Sequence, residues 1–221
     1  MNQLDEYNQI WKRYGESSEA ILNDIPSLRN SDTSPDYSLT FTLILPSEMQ
    51  QKLFDLSEQI KASFPEHHYL PVNYYHISLS YLSTYNKDED PILIRKKIEK
   101  YKEFLSEKVP TFSSISLKIK GLNHFGNCVF AQVWDKDGTL FALNEKIQKE
   151  FQIQNKFPFV PHIAIIYYKK DPQKLFEFID SKLRDVEISK GIISTASLLK
   201  WSLHRENDNQ AYEILGQKSL K

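Results

Sequence analysis

The chain has 221 residues, of which 40% are hydrophobic and 26% are charged, a composition that is ordinary for a globular protein. Its formal net charge of -1 excludes the strong positive field of proteins that bind long nucleic acids, but it is compatible with a small anionic ligand. The single cysteine excludes an internal disulfide and a cysteine-rich zinc site. Because the sequence has neither a signal-peptide pattern nor an apolar run of about 18 residues, we expect a cytoplasmic protein without a membrane partner.

Residues 1–35 are predicted to form a helical extension and a linker, followed by one main domain over residues 36–221. The first half of the extension carries apolar residues at helical spacing: Leu4, Tyr7, Ile10, Trp11 and Tyr14. We expect this stripe to pack on the main domain, with a partner-binding helix as the alternative. A second apolar cluster at residues 20–25 precedes the polar linker.

The main domain interleaves predicted strands and helices. The predicted strands are residues 37–45, 75–82, 112–119, 128–134, 161–167, 192–203 and 211–215, and the predicted helices are 46–64, 92–105, 140–151 and 172–183. Gly121 and Gly126 are expected in a loop, and the basic helix 92–105 presents either a solvated face or a nucleic-acid-binding one. The order of helix, proline-containing loop and strand occurs twice, which indicates an internal duplication of the architecture.

Two of the predicted strands carry a histidine near their start. Strand alternation puts His76 and Ser78 on one face and, in the second strand, His162 and Ala164 on one face. The same alternation puts Ser80 beside His76 and Tyr81 on the opposite face. Two histidines in matched frames, far apart in the chain, are typical of an acid–base pair.

Other uses of the histidines have less support. No HExxH motif or carboxylate cluster accompanies them, so no metal site is predicted, and no glycine elbow surrounds the serines. His67 and His68 are expected to be exposed, and His204 to lie at a hairpin turn. His124 is either a ligand-facing residue or a structural one.

The duplicated motif resembles that of a known family. Residues 76–79 (His-Ile-Ser-Leu) and 162–165 (His-Ile-Ala-Ile) are similar to the two His-x-Ser/Thr-hydrophobic tetrapeptides of the two-histidine phosphoesterases, in particular the 2′-5′ RNA ligase-like and cyclic phosphodiesterase branch. The flanking segments from about residue 37 onward resemble the family in their order. The resemblance implies an α+β fold of two pseudo-symmetric lobes, each an antiparallel sheet with helices outside, around a central groove.

The resemblance also implies a function. A monomeric, metal-independent and cofactor-free phosphodiesterase would act on a nucleotide or an RNA 3′ end, at a 2′,3′-cyclic phosphate or a 2′-5′ linkage. His76 and His162 would be the catalytic pair, and residues Ser78 and Ala164 would occupy the phosphate-binding positions. The alternative is a non-catalytic or weakly catalytic module that binds RNA or a nucleotide on the same scaffold.

Two positions depart from the family pattern. Ala164 replaces the second hydroxyl, and Tyr167 stands where many relatives carry arginine, so the predicted pocket is less electropositive unless Lys169, Lys170 or a loop residue compensates. The side chains that could stack on a base or line the pocket are Tyr81, Tyr168, His124 and Phe125. For the strand tyrosines, packing is the alternative role.

Overall fold

The computed structural model describes residues 3–15, 35–125, 128–154, 158–169, 171–202 and 212–221. The helices in these residues are α1 (Gln3–Gly15), α2 (Ser47–Ser63), α3 (Pro91–Glu107), α4 (Thr139–Phe151) and α5 (Gln173–Lys182). The strands are β1 (Tyr37–Ile44), β2 (His68–Tyr69), β3 (His76–Tyr85), β4 (Ile115–His124), β5 (Cys128–Asp135), β6 (His162–Tyr167), β7 (Glu187–Ile193), β8 (Thr195–Ser202) and β9 (Tyr212–Ser219). The predictions for residues 20–25, most of the linker, Gly126, Lys170 and His204 fall outside the described residues.

The strands form two antiparallel sheets, which confirms the predicted α+β class. Sheet one has the order β3-β1-β8-β9, and sheet two has the order β2-β6-β5-β4-β7. Each sheet contains one of the two strands that open on a histidine, and these two strands, β3 and β6, contact each other. None of the described helices is both long and apolar enough to cross a membrane.

The helices follow from local sequence and pack on the sheets through apolar faces. At α3, Asp90 caps the first turn by accepting the N–H of Ile92 at 2.8 Å, and Pro91 occupies the first helical position, where its missing N–H costs nothing. The α3 residue Phe104 packs on Phe41 of β1, with ring centroids 5.5 Å apart. Four basic residues of α3 are exposed, as a solvated face requires, and Lys102 is partly exposed: Arg95, Lys96, Lys97 and Lys100 are the exposed ones.

Both histidine strands carry a β-bulge at the same place. In β3, Leu79 has no residue opposite it on β1, and in β6, Ile165 has no residue opposite it on β5. Each extra residue lies three positions after the histidine of its strand, His76 or His162. A bulge adds one residue to one strand only and so reverses the alternation of faces beyond it. The duplication inferred from the sequence thus extends to the backbone irregularities of the two sheets.

The bulge explains one wrong prediction about faces. Ser80 is 5% exposed and Tyr81 is 66% exposed, whereas strict alternation predicted that Ser80 would share the face of His76 and that Tyr81 would not. The extra residue Leu79 places Tyr81, five positions after the histidine, on the partly exposed face. Tyr167 stands five positions after His162 and is also partly exposed.

Sheet one is strongly curled. Strand pairing puts His76 opposite Ile44 and Trp201 opposite Ser38. His76 and Trp201 therefore stand at diagonally opposite corners of the three strands β3, β1 and β8. Their rings nevertheless have centroids only 4.7 Å apart. The curl therefore closes over the concave face of β1, where three hydroxyl side chains are at most 2% exposed: Ser38, Thr40 and Thr42.

The strand predicted over residues 192–203 is two strands in different sheets. β7 ends at Ile193 in sheet two, and β8 begins at Thr195 in sheet one, so Ser194 alone makes the crossing. Neither proline nor glycine lies between the two strands, and both ends are apolar or β-branched. The sequence consequently shows one uninterrupted β-rich run where the chain changes sheet.

The sequence predicted that Gly121 lies in a loop, and this is wrong. Gly121 lies inside β4, at an irregularity in the pairing of β4 with β5. Its φ is +82°, and a Cβ added there would lie 2.1 Å from the carbonyl oxygen of Arg184 and 2.9 Å from Nε2 of Gln132. Gly138, at the start of α4, has a φ of +74° but no heavy atom within 4 Å of such a Cβ. Both glycines have a left-handed backbone, and only Gly121 also lacks room for a side chain.

We predict that Gly121→Ala lowers the free energy of unfolding more than Gly138→Ala. Left-handed backbone should cost each alanine about 1–2 kcal/mol, and the contact with a backbone carbonyl should cost Gly121→Ala about 1–3 kcal/mol more. Urea unfolding of both variants measures the difference directly. Equal losses would show that the backbone of Arg184 moves aside and that this packing is not tight.

Candidate active site

His76 is the first residue of β3 and follows the short turn Val72–Tyr74. Its ring Nδ1 lies 2.6 Å from the carbonyl oxygen of Tyr74, and its Nε2 lies 3.1 Å from Oγ of Ser78. A carbonyl can only accept a hydrogen bond, so Nδ1 carries the proton in the neutral ring and Nε2 is the basic atom. The ring is partly exposed, while the next residue, Ile77, is fully buried.

His162, the first residue of β6, is held in the same way. Its Nδ1 lies 2.7 Å from the carbonyl oxygen of Val160, which again is two residues before the histidine. The residue as a whole is partly exposed, and the following residue, Ile163, is fully buried. The same reasoning makes Nε2 the basic atom of His162. The two sheets therefore each contribute one imidazole with the same tautomer, fixed by the same local bond.

The positions two residues after the histidines differ between the lobes. Ser78 and Ala164 are both partly exposed, on the faces of His76 and His162. The Ser78 hydroxyl can donate to a phosphate oxygen, and Ala164 has no polar side-chain atom. The nearest described cation in the chain after β6, Lys169, is exposed. The arrangement thus offers one hydroxyl where two matched ones would complete the symmetry.

The rings around the two histidines also differ. His76 lies against the indole of Trp201, with ring centroids 4.7 Å apart and planes inclined by 33°. His162 instead meets the rings of Phe125 at 4.9 Å and Phe130 at 5.3 Å, both at steep angles. Burial lowers the pKa of His162, with the hydrogen bond to Val160 acting in the opposite direction. The neutral form of His162 is therefore favoured.

Trp201 was not identified from the sequence. It belongs to β8, two strands away from β3, and only the curl of sheet one brings its ring to His76. Tyr212 of β9 packs on Trp201 at 4.9 Å and donates its hydroxyl to the carbonyl oxygen of Asn73, at 3.0 Å. A tryptophan near the end of a predicted strand gives no local signal of such a contact.

Of the four pocket candidates, Phe125 contacts a histidine directly and Tyr81 has an exposed ring. His124 and Tyr168 are elsewhere. His124 is fully buried, stacked on Phe176 at 3.8 Å, and Tyr168 is 4% exposed and packs against the same phenylalanine at 5.3 Å. Neither ring has a face open to a base, because both pack against other rings in the interior.

The burial of His124 has an electrostatic consequence. Burial, reinforced by the positive charge of Arg184, lowers the pKa of His124 to about 4. The ring is therefore neutral near pH 7 and behaves as an aromatic packing group. His67, which was expected to be exposed, is likewise buried, with its ring centroid 6.0 Å from that of Tyr168.

Comparison with known proteins finds a match only in structure. No family model matches the chain, and no curated protein does. Among solved structures, TT0787 of Thermus thermophilus superposes with a TM-score of 0.63 at 16% identity, covering 82% of this chain and 97% of that one. A structure described as a phosphoesterase superposes with a TM-score of 0.61 at 15% identity, covering 85% of this chain and 99% of that one.

E. coli LigT in complex with ATP superposes with a TM-score of 0.58 at 16% identity, covering 85% of this chain and 99% of LigT. At such identities the likeness concerns the fold. It confirms the fold that the resemblance implied: the chain has the two-lobed α+β fold of LigT and of the phosphoesterase.

Proposed function

We propose that the chain is a metal-independent phosphodiesterase that acts on a nucleotide or an RNA 3′ end, with His76 and His162 as its acid–base pair. The observation that supports this most is the matched bond of both rings to the carbonyl two residues back. It leaves Nε2 of each ring for proton transfer, on strands that contact each other. The similar protein LigT has been crystallised with ATP, NADP+ and 3′-AMP, which are nucleotides.

The surroundings suggest a role for each histidine. His162, whose neutral form is favoured, would take a proton from water as the water oxygen attacks phosphorus. His76, whose ring lies on Trp201, would give a proton to the departing ribose oxygen, since a cation over an indole face is stabilised. One P–O bond forms, one breaks, and the two ring protonation states exchange. Ser78 would donate to a phosphate oxygen.

The substrate would carry a 2′,3′-cyclic phosphate or a 2′-5′ linkage. In this proposal Tyr81 and Phe125 are the side chains available to contact a base, because both lie at the partly exposed side of the histidine strands. We further propose that the protein works as a monomer in the cytoplasm and needs no cofactor. Within the described residues no three histidine, cysteine or acidic side chains gather as metal ligands.

A second candidate function follows from Ala164. Without a hydroxyl at this position, the same groove could bind a nucleotide or an RNA end and turn it over slowly or not at all. Incubation with 2′,3′-cyclic nucleotides and 2′-5′ dinucleotides in the presence of EDTA separates the two functions. Turnover supports the phosphodiesterase, whereas saturable binding without turnover supports the binding module.

We predict that His76→Ala and His162→Ala each lower kcat/KM by about 10²–10⁴-fold, because each removes one proton transfer. The double variant should lose little more than the worse single variant, since the two groups act as one unit. EDTA should leave the wild-type rate unchanged. A full-activity variant of either histidine, or a strict requirement for a divalent metal, would contradict the mechanism.

We predict that the acidic limb of kcat/KM has its midpoint below pH 6.5, the ordinary value for histidine. The sign follows from the role: His162 must be neutral to accept a proton, and burial lowers its pKa, so activity persists into mildly acidic solution. Phe125→Ala, which opens the ring to water, should move the midpoint up toward pH 6.5. A wild-type midpoint above that value would assign the basic role to another group.

We predict that Ala164→Thr raises kcat/KM and that Ser78→Ala lowers it. A hydrogen bond to a charged group contributes roughly 1.5–3 kcal/mol, which corresponds to about 10- to 150-fold in rate. Ala164→Val has the shape of threonine without its hydroxyl and should give no gain, and Ser106→Ala on the exposed side of α3 should change nothing. Equal effects of Ala164→Thr and Ala164→Val would mean that the position does not contact phosphate.

A further inference from the structure

The N-terminal helix α1 inserts one hydroxyl between two strands of sheet two. Tyr7 is 1% exposed, and its Oη lies 3.0 Å from the backbone N of Val133 and 2.8 Å from the Val133 carbonyl oxygen. The same Oη lies 2.5 Å from the carbonyl oxygen of Pro161. Val133 is in β5, and Pro161 directly precedes β6. A side chain from outside the sheet therefore contacts backbone groups of both strands.

The single proton of the Tyr7 hydroxyl has two carbonyl oxygens within reach, that of Val133 at 2.8 Å and that of Pro161 at 2.5 Å. The Val133 oxygen already accepts a hydrogen bond from Gln3 Nε2, and the Pro161 oxygen is nearer, so we assign the proton to the shorter bond. Tyr7 therefore accepts from the N–H of Val133 and donates to the carbonyl of Pro161. Burial raises the pKa of Tyr7 above its ordinary range, so the hydroxyl keeps its proton.

The hydroxyl stands where the strand ladder cannot continue. The last pair between β5 and β6 joins Gln132 to His162, and the next pair would join Val133 to Pro161. Proline has no N–H, so a regular pair cannot form there. The Tyr7 hydroxyl connects the Val133 N–H to the Pro161 carbonyl, extending the link between the two strands by one position beyond His162.

This link holds the segment that orients the second histidine. Pro161 lies between Val160, whose carbonyl accepts from Nδ1 of His162, and His162 itself. The Tyr7 ring also faces the histidine side of the sheet, since its centroid is 6.3 Å from that of Phe130, which in turn is 5.3 Å from His162. Helix α1 thus contacts the Pro161 backbone directly and the His162 ring through Phe130.

Further contacts fix α1 in this position. The Tyr7 carbonyl accepts a hydrogen bond from Asn123 Nδ2 at 2.8 Å. Four residues later, Trp11 packs edge-on against His124 at 4.7 Å, and the guanidinium of Arg184 lies 4.5 Å from the Trp11 ring centroid. The helix is therefore anchored on both sides of the hydroxyl that enters the sheet.

We propose that Tyr7 is a positioning residue for His162: its hydroxyl fixes the Pro161 carbonyl, and with it the Val160 carbonyl that selects the histidine tautomer. The N-terminal helix then belongs to the structure that sets up proton transfer. The catalytic role of His162 in this inference rests on the proposed function. The orientation of the His162 ring rests on the described contacts alone.

The test is Tyr7→Phe, which keeps the ring packing and removes the hydroxyl. We expect kcat to fall about 10- to 100-fold with KM little changed, because small displacements of a catalytic group are costly. Long-range ¹H–¹⁵N spectra of histidine-labelled protein, recorded without substrate, should show the Nδ1–H tautomer of His162 in the wild type and a mixture in the variant. Tyr69→Phe removes a comparable bond, Tyr69 Oη to the Phe64 carbonyl at 2.8 Å, and should change neither readout.

The two readouts separate this inference from the proposed function. If the wild type turns over none of the substrates, the proposed function fails, and the tautomer comparison still decides the role of Tyr7. With an active wild type, a folded Tyr7→Phe variant in which either kcat or the tautomer is unchanged overturns the positioning role.

Should Tyr7→Phe fail to fold, Pro161→Ala provides a second background. The new N–H lets residue 161 pair directly with Val133, so the hydroxyl is no longer needed. Tyr7→Phe combined with Pro161→Ala should then lose no more kcat, and no more of the Nδ1–H tautomer, than Pro161→Ala alone. A large further loss in the combined variant would show that Tyr7 acts by another route.

Discussion

The candidate site depends on one short hydrogen bond made twice: from Nδ1 of each histidine to the carbonyl oxygen two residues before it. The bond is local: a histidine at the start of a strand can make it whenever the carbonyl oxygen two residues earlier points toward its ring. It fixes the tautomer and ring orientation together, which leaves Nε2 of His76 and His162 as the reactive atoms. The two sheets then need only bring β3 and β6 together to pair the rings.

The remainder of the fold modifies this symmetric arrangement differently in each lobe. Both strands bulge three residues after the histidine, at Leu79 and Ile165, and so keep the same backbone plan. Sheet one curls until Trp201 covers His76, whereas sheet two is extended by the Tyr7 hydroxyl beside His162. Local bonds thus give the pair its likeness, and long-range packing gives each imidazole a different environment.

The sequence predicts well what depends on near neighbours and poorly what depends on distant ones. Alternation correctly puts His76 and Ser78 on one face, because both precede the bulge. Alternation fails for Tyr81, which follows the bulge, because the position of a bulge depends on the pairing with the partner strand. The sequence around Gly121 favours a loop, although the left-handed φ of this glycine serves an irregularity inside β4.

The same limit applies to the rings. His124 and Tyr168 lie in aromatic clusters with Phe176, whose formation requires the packing of α5 on sheet two, and no spacing in the sequence reveals this. Their burial follows from tertiary structure alone.

The most direct measurement of the central claim is a titration of histidine-labelled protein with inorganic phosphate, followed through the Nε2 signals of both rings. The account predicts that His76 and His162 respond together with one dissociation constant and one bound phosphate. Response of a single histidine, or two unequal dissociation constants, would contradict it.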